Sequence, residues 1–132
     1  MGAGEFRLAE LSRLCDAELN WPRILELGEH HGVLSLVYQA LRESAARVPV
    51  EVRDDFASRY DQNVRRNLRF TAELFRILDG LESAGIAAIP YKGPVLAQTA
   101  YGDLALRNFS DLDVLVPRKE VLPAKEVLRS LG

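Results

Sequence analysis

Apolar residues recur at helical spacing through the first two-thirds of the chain, and then the rhythm changes. Leu8, Leu11, Leu14 and Cys15 fall on one side of a 3.6-residue helix. Asn20 reads as an N-cap, with Pro22 in the first turn of a helix that carries Ile24, Leu25 and Leu27. Gly32 is expected to end that helix, residues 33–41 to form the next, and Pro49 to open another. Between residues 50 and 84 the only proline or glycine is Gly80. Val52, Phe56, Tyr60, Val64 and Leu68 step by four there, and Leu74, Phe75, Ile77, Leu78 and Leu81 widen the apolar face. The stripe is read as core-facing. As a single helix this stretch would be about 50 Å long. That exceeds the usual globular range, so a break near residues 61–63 is the alternative.

Past Gly85 the pattern shortens. Residues 86–91 predict a short buried strand, and 94–101 a short helix with Pro94 near its start. Residues 111–116 predict a second strand, stopped by Pro117, and 121–131 a last helix with Pro123 in its first turn. Strand, helix, strand, helix predicts a parallel pair joined by a crossover. The expected fold class is α+β: a helical region over 1–84, then the opening of an α/β unit over 85–132, its sheet incomplete. Two strands rarely suffice alone. The reading is therefore a fragment, or a chain that completes its sheet with a second copy. An open strand edge is a template for such self-association.

Composition narrows the classes. At 132 residues, 48% apolar and 27% charged, the chain fits one ordinary globular domain. A formal charge of -2 gives no overall basic field for nucleic acid. The single cysteine, Cys15, excludes an internal disulfide and reads as a small buried apolar side chain. No stretch approaches the length of a membrane span and the N-terminus has no signal-peptide pattern, so no membrane role and a cytoplasmic setting are expected.

The candidate chemistry lies in the last third. Lys92 and Gly93 occupy the turn between the first strand and the short helix. Gly93 permits close backbone approach to a phosphate and Lys92 brings a point charge. Eighteen residues beyond Gly93, Asp111 and Asp113 head the second strand. Alternate strand residues share a face, so the two carboxylates should project together while Leu112 and Val114 turn to the core. Such a pair repels itself unless a cation, proton or arginine compensates. Mg²⁺ typically takes one or two carboxylates and fills its other positions with water and phosphate oxygens. Arg107 is either a phosphate contact or an ion-pair partner of Asp111. The bland alternative is a solvated acidic strand start capped by Ser110. The apolar run follows the aspartates rather than preceding them, an order that argues against phosphatases of the haloacid dehalogenase type and many sugar transferases. Adjacent His30 and His31 point different ways on a helix and are not read as a metal pair. Arg65, Arg66 and Arg69 are read as a solvated basic face.

The run Tyr91-Lys92-Gly93-Pro94-Val95-Leu96-Ala97, then Tyr101-Gly102-Asp103, Arg107 and Ser110-Asp111-Leu112-Asp113-Val114-Leu115-Val116, resembles the uncharacterised bacterial nucleotidyltransferase family of the DNA polymerase beta-like superfamily. The helical lead-in, with Trp21, His31-Gly32-Val33 and Asn67, is similar to the same family. The resemblance implies metal-dependent transfer of a nucleoside monophosphate from an NTP to an unknown acceptor. It makes Asp111 and Asp113 the catalytic metal ligands, for Mg²⁺ or alternatively Mn²⁺. Lys92, Gly93 and Arg107 become nucleotide-binding residues. Pro94 stands where the superfamily commonly has serine. The superfamily's third carboxylate belongs to a later strand that this sequence does not reach, so the chain is expected to be inactive alone. Two other functions stay open: a non-catalytic interaction module with a degenerate fold, and an antitoxin-like minimal nucleotidyltransferase.

Overall fold

A computed structural model describes residues 3–132, with side chains from residue 7 onward. Four helices come first: α1 (Ala3–Cys15), α2 (Trp21–His30), α3 (Leu34–Glu43) and α4 (Val50–Ser83). Strand β1 (Ile89–Tyr91) and helix α5 (Gly93–Leu96) follow, the latter continued by a π-helical turn (Ala97–Tyr101). Strand β2 (Asp113–Leu115), a 3₁₀ turn (Arg118–Glu120) and α6 (Val121–Leu131) complete the order. The class is α+β with a small, incomplete sheet, as the sequence predicts. The chain divides into two compact units. The first is Met1–Val64 with Ala105–Asn108, and the second is Arg65–Leu104 with Phe109–Gly132.

In the first unit the local signals act as expected. The Asn20 side chain accepts a hydrogen bond from Arg23 N at 3.1 Å and caps α2. The helix ends in a Schellman motif, with Gly32 N donating to Glu29 O and Val33 N to Gly28 O. Leu25, Leu34 and Phe56 form the core, with Trp21, Ile24, Val37, Tyr38, Leu41 and Val52 packed on it. Cys15 is buried. Burial, with Asp16 adding to it, pushes its thiol pKa up.

Helix α4 is unbroken over 34 residues, so the break near 61–63 does not occur. Its buried line is also not the four-step stripe. At about 100° per residue, each four-residue step overshoots a full turn by about 40°. Leu68, four such steps from Val52, has rotated off the face and is 54% exposed, and Phe75 is exposed as well. The buried positions are Phe56, Asn63, Asn67, Leu74 and Leu81. They stay within about 20° of one line along the helix. Two of the five are amides. In the first unit Asn63 Nδ2 donates to Ser35 Oγ at 3.1 Å and to Ala105 O at 2.9 Å. These bonds compensate the cost of burying Asn63 and Ser35.

The second unit starts from the other end of α4. Its last turn closes with a second Schellman motif. Gly85, at φ +72°, adopts the left-handed conformation, while Gly85 N donates to Glu82 O and Ile86 N to Leu81 O. Ile86 and Leu81 then join Ala124 in the core of this unit, with Ile77, Ala88, Val114, Val116 and Val127 against them. The sheet corrects two expectations. The strands pair antiparallel, Ile89 with Leu115, Pro90 with Val114 and Tyr91 with Asp113, so there is no parallel crossover. Helix α5 and its π turn span only about 14 Å at helical rise. The non-helical residues 102–112 bring the chain back to the end of β1 that it left, where Asp113 pairs with Tyr91. The predicted buried strand is also shorter and more open than expected, with Ile89 66% and Tyr91 52% exposed. Any edge left to template self-association is thus the edge of an antiparallel pair. Among the described residues no helix is long and apolar enough to cross a membrane.

Candidate functional site

The acidic pair and the turn meet within the second unit. From residue 111 to 116 burial alternates strictly, with Asp111, Asp113 and Leu115 exposed and Leu112, Val114 and Val116 half-buried. The two carboxylates therefore leave the chain on one face, and the three aliphatic side chains turn to the other. Val114 and Val116 pack on the Leu81–Ile86–Ala124 core, which fixes the side that faces inward. In the strand ladder Asp113 lies opposite Tyr91, the residue immediately before Lys92 and Gly93.

The turn itself has an uncommon backbone. Lys92 adopts φ 57°, ψ −142°, close to a region that is almost exclusive to glycine. Gly93 follows at φ +45° and is buried. A Cβ on Gly93 would lie 3.7 Å from Asp111 O and 3.8 Å from Leu112 Cδ2. Space alone would admit a methyl group, so what calls for glycine is the positive φ. The same distances place the turn beside the backbone of the first aspartate. Lys92 Nζ stands 5.2 Å from the Tyr91 ring centroid, a cation–π arrangement that tethers the ammonium over the ring facing Asp113.

Two contacts inside the second unit fix the chain leading into the aspartates. Asn67, fully buried on α4, donates from Nδ2 to Leu104 O at 2.6 Å. Phe109 is buried with its ring centroid 6.0 Å from that of Phe70, edge to face. Phe109 thus anchors the segment two residues before Asp111. Neither Asn67 Nδ2 nor the Phe70–Phe109 pair was assigned a role from the sequence. A seven-residue step from Asn67 to Leu74 and another to Leu81 was the available signal.

The structure brings four of the five sequence-predicted residues, Lys92, Gly93, Asp111 and Asp113, into one unit. Arg107 belongs to the Ala105–Asn108 segment of the other unit, where it is half-buried and has a partner within the chain. Among the described residues no group of three or more His, Cys, Asp or Glu is gathered to hold a metal. What the second unit offers is a pair of oxygen-bearing side chains on one open face. That donor set matches the one or two carboxylates Mg²⁺ typically takes from a protein.

Neither the curated proteins nor the solved structures include a match to this chain. A family described as uncharacterised nucleotidyltransferase matches residues 17–132, which takes in the helical lead-in, the turn and both aspartates. The chain belongs to this uncharacterised nucleotidyltransferase family.

Proposed function

We propose that the chain supplies the phosphate- and metal-facing part of a transferase that moves a nucleoside monophosphate from an NTP to an acceptor. The observation that carries this reading is the adjacency of Gly93 to the Asp111 backbone, with Asp113 opposite Tyr91 in the ladder. Asp111 and Asp113 would hold Mg²⁺, with Mn²⁺ as a substitute. Bound there, the cation would offset charge on the triphosphate and on the attacking oxygen. Gly93 leaves the backbone open to close approach, and Lys92 brings a single positive charge to the same side of the sheet. Pro94 has no N–H to give a phosphate, so the turn relies more on the Lys92 side chain and on the amides of Gly93 and Val95. A cytoplasmic setting, where NTPs and Mg²⁺ are abundant, fits this reading.

The test is a calorimetric titration of the full chain with preformed Mn²⁺–ATP. Asp111→Asn and Asp113→Asn are each expected to weaken Mn²⁺–ATP binding at least about tenfold, since losing even an outer partner of a metal ligand costs about 10–100-fold. If both variants bind as the parent chain does, the fold is acting as a non-catalytic module.

A further inference from the structure

We infer that the first unit carries a second ligand site, unrelated to the acidic pair, which takes a small anion with an aromatic or aliphatic body. A cavity of about 350 Å³ opens between α3, the loop after it and the first turns of α4. Its size falls within the range of small-molecule sites. Phe56, Leu41 and the buried Val48 form its apolar lining, with the Tyr38 ring beside them. Two arginines, Arg42 and Arg53, line the same cavity.

The place of these two arginines in the cavity lining points to a ligand. Arg13, Arg23, Arg59, Arg76 and Arg129 are each held by a glutamate. Arg42 and Arg53, like Arg7, Arg47, Arg65, Arg69 and Arg118, have no carboxylate partner among the described residues, and of these only Arg42 and Arg53 line the cavity. Arg42 lies with its guanidinium carbon 5.6 Å from the Tyr38 ring centroid. That contact leaves the rim of N–H donors unspent. Arg53 makes one long bond, Nη2 to Val48 O at 3.4 Å. The neighbouring acid, Glu43, is already accepting from Gln39 Nε2 at 2.9 Å. The rim is rigid as well. Ser44 Oγ donates to Leu41 O and accepts from Ala46 N, which fixes the loop where it leaves α3. Tyr60 backs the Tyr38 ring at 5.0 Å between centroids. A lining of buried apolar residues and two exposed arginines suits a carboxylate or phosphate on a flat or aliphatic body.

Phenyl phosphate and benzoate are the probes, titrated into the isotopically labelled full chain and followed by backbone amide shifts. Inorganic phosphate supplies the charge without the ring, and benzyl alcohol the ring without the charge. At least one ring-bearing anion is expected to give saturable shifts confined to residues 38–56, and to bind at least about tenfold more tightly than either control. Saturation by phenyl phosphate alone identifies a phosphate ligand, by benzoate alone a carboxylate, and by both a general anion site. Arg42→Gln and Arg53→Gln should each weaken binding about tenfold or more, the usual loss for a charge-assisted hydrogen bond. Both side chains are exposed, so the variants should keep the parent's spectral dispersion. No saturation by either anion, or unchanged binding in the Arg42→Gln/Arg53→Gln double variant, overturns the site.

Discussion

The two units of this chain treat their apolar residues differently. In the first, the large apolar side chains mostly face one another around Phe56, and only Leu14, Leu27, Val33 and Val50 among the described residues stay well exposed. In the second, eleven do, among them Phe75, Ile89, Tyr91, Leu115, Leu122 and Leu128. The first unit spends its sequence on closure, through two capped helix ends and a buried amide network. The second spends it on an open face, where an aromatic ring, a lysine and two carboxylates stand together. Folding information and chemical information are thus unevenly divided along the chain. A long helix supplies core residues to each part.

The comparison would break most visibly at Phe56 and Leu122. Phe56→Ala, at a side chain 1% exposed in the closed core, should cost about 3–5 kcal/mol. Leu122→Lys, at a side chain 75% exposed on α6, should change stability by less than about 0.5 kcal/mol. Urea denaturation of both variants decides it, and a large loss at Leu122 would mean that the second unit is more closed than it looks. A smaller effect is expected at Asn67, whose amide satisfies Leu104 O. Asn67→Ala should cost about 1–3 kcal/mol, the penalty for orphaning a buried polar group. The same denaturation measurement checks it, and a loss under about 0.5 kcal/mol would mean that water reaches the carbonyl. The third effect has the opposite sign. Lys92→Gly removes a residue held at positive φ and should stabilise the chain by about 1 kcal/mol, after allowing for the extra freedom glycine has when unfolded. A stability loss would show that the ammonium over the Tyr91 ring holds the turn more firmly than the backbone resists it.

Local features of both units are legible in the sequence. Asn20, Pro22 and Gly32 mark helix ends by local chemistry that needs no tertiary partner, and they act as read. The alternation from Asp111 to Val116 is legible for the same reason, because a period of two survives even in a three-residue strand. The strand direction was not. A 21-residue connection between Tyr91 and Asp113 allows either sense, and the choice depends on how residues 102–112 are held, which involves Asn67 and Phe70 far back in the chain. A step of four drifts steadily off a 3.6-residue turn, so the four-step stripe does not give the buried line of α4. Asn63 looked like a weak point in the helix, yet its amide is buried and bonded.

The anchoring of Phe109 against Phe70 has one more consequence. From that fixed ring to the first ladder residue the chain has only three positions, 110–112, in which to settle its phase. Insert one residue between Phe109 and Asp111 and both acids swing inward while three aliphatic groups emerge; insert two and each returns to its own side. The tether is a counter that registers odd against even, and it tolerates changes of composition far better than changes of number.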